Sequence, residues 1–144
     1  MMDKHVVKMI TEHTQMLSTV VRLNGDDVGY KQTHINHPCN IWARQSLSNW
    51  IYLRDLTVAI HEEWQCRYPK SSRINHKAYD VMLSLPMPKI RDIGLTPFAQ
   101  AMPKEYQHSD PIIAYRQYYI GEKNHIASWT NRSKPDWWNQ LPTD

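Results

Sequence analysis

The chain has 144 residues, which suits one domain with one hydrophobic core, and its 17 Lys and Arg against 14 Asp and Glu give a formal net charge of +3. No apolar run approaches the roughly 18 residues of a membrane span, and the six Trp and eight Tyr argue against disorder. Two distant Cys exclude a disulfide scaffold and favour a reducing, cytoplasmic setting, and four Gly leave no glycine-rich phosphate loop.

Two long helices are predicted in the first half of the chain. Apolar residues at steps of three and four predict a first helix over Asp3–Leu23, with Asp3 as N-cap and Asn24-Gly25 as its stop. A longer pattern predicts one central helix over Asn40–Tyr68, about 43 Å long at 1.5 Å per residue. Asn36 is a candidate cap for this second segment.

Shorter helices follow in the second half. We expect them over Ala78–Leu85, over Thr96–Ala101 with Thr96 as cap, and from Asp110-Pro111 to about Ala127. The Trp-rich tail Trp129–Asp144 is expected to pack back on the core. Because no stretch alternates as a strand does, the prediction is an all-α, single compact domain of about five helices. This domain has one long central helix and an aromatic-rich C-terminal tail.

The first helix carries a candidate catalytic group. His5, Lys8 and Glu12 are three and four residues apart, so they share one helix face, opposite much of the apolar stripe. An imidazole, an amine and a carboxylate that converge on a cleft can carry out nucleophilic and acid–base chemistry at C1′ of a sugar. An ordinary solvated helix face explains the same spacing.

Histidines and cysteines elsewhere give weaker signals. Each of His34, His37 and His61 is a candidate metal ligand by residue type, but the sequence has no HExxH, no CxxC and no tight Cys/His grouping. We therefore predict no metal site and expect these histidines to form caps or satisfied polar contacts. Cys39 and Cys66 have no setting for thiolate activation, so we expect them in the core or on a helix surface.

Basic and aromatic residues are interleaved through the chain. Cationic side chains for phosphates and flat rings for unstacked bases are typical of nucleic-acid surfaces. A core filled by Trp and Tyr beneath solvated charges accounts for the same composition. The candidate nucleic-acid-binding residues are Arg22, Arg44, Arg116, Lys123, Trp129, Lys134, Trp137 and Trp138.

Long stretches resemble a family of small, largely uncharacterised phage and bacterial proteins. The resemblance covers nearly the whole chain, and its motifs are long enough to be specific. They are DKHVVKMITEHTQMLST (Asp3–Thr19), THINHPCNIWARQSLSNWIYL (Thr33–Leu53), GLTPFAQAMPKEY (Gly94–Tyr106), AYRQYYIGEKNHIASW (Ala114–Trp129) and KPDWW (Lys134–Trp138).

The layout more remotely resembles the phage pyrimidine-dimer DNA glycosylase/AP lyases of the endonuclease V type. Those enzymes have an Asp-x-His start on an early helix and a catalytic Glu seven residues after the His, which corresponds to Asp3, His5 and Glu12 here. The resemblance implies that Glu12 is the catalytic carboxylate and that the tail helps to bind DNA. In that family the nucleophile is an N-terminal α-amine on a preceding segment, whereas only two Met precede Asp3 here. A shortened N-terminus leaves that amine, Lys8 or water as the nucleophile.

The leading interpretation is therefore a DNA-processing protein, a base-excision DNA glycosylase with or without AP-lyase activity. Arg22 and His5 would orient phosphate or sugar, and Arg44 is a further phosphate ligand. The first alternative is a non-catalytic nucleic-acid-binding phage accessory protein on the same fold. The second is a protein that binds or processes free nucleotides. We expect no metal or organic cofactor, duplex DNA as the partner, no membrane association, and a monomer or weak dimer.

Overall fold

The computed structural model describes residues 1–68, 70, 74–102, 104–123, 126–130 and 132–139. Within these residues the chain forms five α-helices and no strand, which confirms the all-α prediction. None of the helices in this described part is long and apolar enough to cross a membrane. The helices are α1 (Asp3–Leu23), α2 (Pro38–Gln45), α3 (Leu47–Arg67), α4 (Lys77–Leu83) and α5 (Pro111–Lys123).

The core lies between α1 and α3, and α2 and α4 close its sides. Each of the larger apolar side chains contributes about 1.5–3 kcal/mol when it leaves water. The Trp50 side chain is fully buried, and its indole N–H donates to the Leu17 carbonyl at 3.3 Å. The buried apolar side chains of the core include Val6, Ile10, Leu17, Val20, Val21, Trp42, Trp50, Leu53, Ile60 and Met82.

The long central helix is confirmed, but it begins at Leu47 rather than at Asn40. Ser46 has extended backbone (φ −155°, ψ 144°) and separates α2 from α3. Its hydroxyl donates to the Asp92 carboxylate at 3.1 Å and accepts from the Ile93 N–H at 3.0 Å. The segment that contains Asp92 and Ile93 therefore stabilises the break between α2 and α3. The apolar periodicity of the two helices does not show this break.

Histidines, not the predicted Asn36, cap two of the helices. His37 Nδ1 accepts from the Cys39 N–H at 3.1 Å at the start of α2. His76 Nδ1 accepts in the same way from the Ala78 N–H at the start of α4. The prediction of Asn36 as cap is wrong because the helix begins one residue later, at Pro38.

The predicted helix over Thr96–Ala101 is absent, and this segment is irregular. Thr96, the predicted cap of this segment, forms hydrogen bonds with α3 instead. Its N–H donates to Asn49 Oδ1 at 3.0 Å. The Asn49 amide in turn donates to Thr96 Oγ1 at 2.8 Å. These bonds tie the segment to α3, so no helix forms.

Helix α5 begins as predicted, since Asp110 Oδ1 accepts from the Ile112 N–H at 2.9 Å and Pro111 is the first residue. The helix ends at Lys123, short of the predicted Ala127. The tail (126–130 and 132–139) returns to the body of the protein, where the Trp138 side chain is buried. Residues 140–144 of the predicted tail lie outside the described residues.

Asp3 is the first residue of α1 and does not act as its N-cap. Its buried carboxylate accepts from Arg67 Nη1 at 3.0 Å, from the Ser128 hydroxyl at 2.9 Å and from the Thr130 hydroxyl at 2.6 Å. One charged donor and two hydroxyls together satisfy this buried carboxylate better than a helix N–H does, which explains the difference. We call these contacts the Asp3 clasp.

The Asp3 clasp is extended by Glu63. Its carboxylate accepts from Arg67 Nε and from Arg132 Nε, each at 2.8 Å. Arg67 lies at the end of α3 and Arg132 in the tail. The start of α1, the end of α3 and the tail are therefore held together by one network of charges.

Candidate functional site

The structure brings two of the three candidate catalytic residues of α1 into direct contact. Lys8 Nζ lies 3.2 Å from Glu12 Oε1, and their side chains are 60% and 37% exposed. His5 does not join this pair. Its Nδ1 lies 2.7 Å from the hydroxyl of Tyr119 on α5, so His5 connects α1 with α5.

The surroundings of His5 and Tyr119 determine which of them holds the proton. Burial raises the pKa of Tyr119 to about 12, so the phenol is protonated at neutral pH. Burial lowers the pKa of His5, and the positive charges of Lys8 and Lys123 lower it further, against the opposing charge of Glu12. In its Nε2–H tautomer the neutral imidazole accepts from the phenol at Nδ1 and has a donor on Nε2 for a substrate oxygen.

The two candidate amines lie at different distances from Glu12. Lys8 is one turn away and pairs with it. The α-amino group of Met1 lies at the start of α1, and burial, followed by the charge of Arg67, lowers its pKa. Because a helix rises 1.5 Å per residue, about 13 Å along the axis separate Asp3 from Glu12. Lys8 is therefore the amine that the fold places beside the carboxylate.

Cys39 and His13 lie near Glu12 but are suited to structural roles. Burial raises the pKa of the Cys39 thiol, and the hydrogen bond with Tyr115 lowers it only in part. A protonated thiol is a poor nucleophile. Burial lowers the pKa of His13 to about 4, and its Nδ1 lies 3.3 Å from the Thr57 hydroxyl.

Predicted nucleic-acid-binding residues lie together on α5 and the tail. The Arg116 guanidinium is 5.1 Å from the ring centroid of Trp137, and Lys123 Nζ is 5.4 Å from the ring of Tyr118. Lys134 is exposed on the tail. The α5–tail surface, as we call it, consists of Arg116, Lys123, Trp129, Trp137 and Trp138.

An aromatic cleft opens at the α5–tail surface, with a volume of about 220 Å³. The ring of Trp138 lies edge-on to that of Trp129, with centroids 4.9 Å apart. Tyr119 also lines the cleft, and because its hydroxyl contacts His5, the cleft adjoins the His5 end of the α1 face. The lining residues include Met2, Tyr119, Trp129, Pro135, Trp137 and Trp138.

Arg22 and Arg44 are engaged with loops rather than with the α5–tail surface. Arg22 donates to the carbonyls of Tyr30 and Gly29 at 2.7 and 3.0 Å and pairs with Asp27. Arg44 donates to the Ile35 carbonyl. Both guanidinium groups therefore hold the loop between α1 and α2, and their role as phosphate ligands stays a prediction.

The histidines considered as metal ligands contact other groups in the structure. Across the described residues no group of three or more His, Cys, Asp or Glu is arranged to hold a metal ion. His61 stacks on Tyr79 with ring centroids 3.7 Å apart, and its Nε2 accepts from the His76 N–H at 3.0 Å. The exposed His34 contacts the hydroxyl of its neighbour Thr33.

Sequence reasoning missed Tyr119, which joins the two parts of the site. A signal exists in its spacing, because Tyr115 and Tyr119 are one helical turn apart and therefore share a face of α5. Both have buried hydroxyl groups with hydrogen-bond partners, Ala99 for Tyr115 and His5 for Tyr119. The one-turn spacing of the two tyrosines is therefore the signal that the sequence offers for this contact.

Comparison with known proteins found no match to this chain among family models, curated proteins or solved structures.

Proposed function

We propose that the protein binds duplex DNA and excises a damaged or modified base, with Glu12 as the catalytic carboxylate. The observation that supports this proposal is the position of Tyr119. Its hydroxyl contacts His5 on the α1 face, and its ring lines the aromatic cleft. The face of α1 that carries Glu12 therefore adjoins, at its His5 end, a cationic, aromatic surface suited to DNA, and Glu12 lies about 10 Å farther along the helix.

The α5–tail surface supplies two kinds of contact with DNA. The exposed Arg116 side chain and the half-buried Lys123 side chain neutralise phosphates and release counterions, so affinity falls steeply with salt. The half-buried Trp129 and Trp137 rings offer stacking surfaces to bases that leave the helix. Neither contact reads a sequence, which suits a protein that searches DNA for an altered base.

Base excision breaks the bond between C1′ and the base nitrogen, and the bonding electrons leave with the base. The positive charge that develops at C1′ is stabilised by a nearby carboxylate, the role we assign to Glu12. Water then adds its oxygen to C1′, and its proton passes to the departing base. An amine in place of water forms a covalent bond to C1′ and opens the lyase route. The Nε2–H of His5 orients a phosphate or sugar oxygen.

The test compares Glu12→Gln with Glu62→Gln, which makes the same change on the exposed surface of α3. Labelled duplexes carry a pyrimidine dimer, an abasic site or no lesion, with sodium borohydride present to trap amine adducts. We expect Glu12→Gln to slow base release at least 100-fold and to leave duplex affinity within twofold, because the carboxylate acts in the transition state. Equal base release by the two variants contradicts the proposal.

A non-catalytic DNA-binding protein is the second candidate, and the Lys8–Glu12 ion pair favours it. A charged ammonium has no lone pair for attack, and its charge offsets that of the carboxylate. This candidate is established if the wild type and Glu12→Gln both bind duplexes in a salt-dependent way and neither releases a base or forms a trapped adduct. Mass mapping of any adduct distinguishes the Met1 amine from Lys8.

A further inference from the structure

We propose that the aromatic cleft binds one unstacked nucleobase, whose carbonyl oxygen accepts a hydrogen bond from the indole N–H of Trp129. This inference rests on the proposed DNA binding and adds a ligand class and a specific contact. It assigns to the tail a binding site that is separate from the Lys8–Glu12 pair.

The shape of the cleft suits a flat ring. Three indole rings and the Tyr119 ring contribute to its walls, and its volume is about 220 Å³. The rings of Trp137 and Trp138 lie 5.6 Å apart with a tilt of 53°, so their faces point in different directions. Stacking of one base on such a ring strengthens binding roughly 10- to 100-fold, whichever base it is.

The Trp129 indole, which is part of the cleft lining, carries an unsatisfied polar group. Its Nε1 is buried, and among the described residues it has no hydrogen-bond partner. Other buried indoles of this protein are satisfied, since Trp42 donates to the Thr96 carbonyl and Trp50 to the Leu17 carbonyl. A buried donor without a partner is costly, and a ligand that brings an acceptor removes the cost. Nucleobases carry such acceptors on a flat ring.

Charge at the edge of the cleft favours a base that is attached to phosphate. Arg116 lies over Trp137, which is one of the lining residues, with its guanidinium 5.1 Å from the ring centroid. This cation can contact the backbone on either side of an unstacked base. An uncharged aromatic compound would make no ionic contact with Arg116 at this site.

The base in the cleft is not the base that Glu12 would release. Met2 lines the cleft and precedes Glu12 by ten residues of chain, so the two are about 15 Å apart along the axis of α1. A catalytic carboxylate must lie about 3 Å from the reacting atoms. The cleft therefore serves as an anchor for the DNA strand, and its loss weakens binding more than it slows chemistry.

The test uses Trp129→Phe, which removes the N–H and keeps a ring, with Trp64→Phe on α3 as a matched control outside the cleft. Three duplexes are titrated: fully paired, with a single bulged thymine, and with a bulged difluorotoluene, the nonpolar isostere of thymine. We expect the wild-type protein and Trp64→Phe to bind the thymine bulge about tenfold more tightly than the isostere. In Trp129→Phe this preference should fall below twofold.

Each result separates this inference from the proposed DNA binding. Duplex binding without a thymine preference, or with a preference that survives in Trp129→Phe, overturns the base site and leaves DNA binding intact. If no duplex binds, thymidine monophosphate is titrated by tryptophan fluorescence. Quenching that is lost in Trp129→Phe then supports the base site, and no quenching overturns it. If Trp129→Phe does not fold, the base site is tested by the wild-type protein alone: a roughly tenfold preference for the thymine bulge over the isostere supports it, and equal binding overturns it.

Discussion

Replacement of Asp3 with Asn tests the clasp that holds the tail against the helices. Asn keeps the shape of the side chain but removes the negative charge that faces Arg67, whose side chain is 4% exposed. Loss of one partner from a buried ion pair costs about 3–5 kcal/mol. Because Glu63 still pairs with Arg67 at 2.8 Å, we expect the lower end of that range, about 3 kcal/mol.

The effect of Asp3→Asn should depend on pH in a defined direction. Burial raises the pKa of Asp3, but hydrogen bonds from Thr130, Ser128 and Arg67 outweigh burial and hold it below the usual 3.8. A carboxylate with a lowered folded-state pKa stabilises the protein above its unfolded pKa and loses that contribution as pH falls through the folded pKa. The difference between wild type and variant should therefore be full at pH 7 and shrink below about pH 3.8.

Urea unfolding, followed by tryptophan fluorescence, measures this difference. The matched control is Asp55→Asn, because Asp55 is 67% exposed and lies 3.7 Å from Arg54. We expect the control to change the free energy of unfolding by less than about 0.5 kcal/mol. An Asp3→Asn variant as stable at pH 7 as the control would refute the clasp as an anchor of the tail.

Three further predictions concern closely packed positions. Gly29→Ala should lower the free energy of unfolding by about 2 kcal/mol, because Gly29 has φ +72° and an added Cβ would lie 2.6 Å from Leu85 Cδ2; urea unfolding measures this loss. Burial holds the pKa of His13 at about 4, so the wild type should lose about 2 kcal/mol from this group between pH 7 and pH 5. A His13→Gln variant with an unchanged pH slope contradicts this. Asn49→Ala should cost about 3 kcal/mol and release residues 94–98 to hydrogen exchange, since Thr96 loses two bonds.

The helices that were predictable are those whose ends depend on neighbouring residues. Helix α1 ends at Asn24 and Gly25, where the glycine takes φ +99°, and α5 starts at the Asp110 cap. The break at Ser46 was not predictable because its cause lies more than 40 residues away, in the contacts with Asp92 and Ile93. Apolar periodicity continues through the break and does not record it.

In the candidate site, too, some contacts follow from neighbouring residues and others depend on residues far away in the chain. The contact between Lys8 and Glu12 follows from their spacing of four residues on one helix. The partner of His5 is 114 residues away in the chain, and the partners of Asp3 are 64 to 127 residues away, so neither set could be inferred from local patterns. Arg22 and Arg44 looked like free cations in sequence because most of their acceptors are backbone carbonyls, which carry no sequence signature.

The Asp3 clasp also has a consequence for the order in which the molecule is assembled. It joins residues 127 positions apart, and the aromatic cleft has its full walls only when Trp138 is in place. On the ribosome, helices α1 to α4 emerge and can bury their shared core while α5 and the tail are still inside the exit tunnel. The start of α1 stays open to solvent through this interval. The nascent chain therefore buries the core of α1 to α4 before it acquires the α5–tail surface.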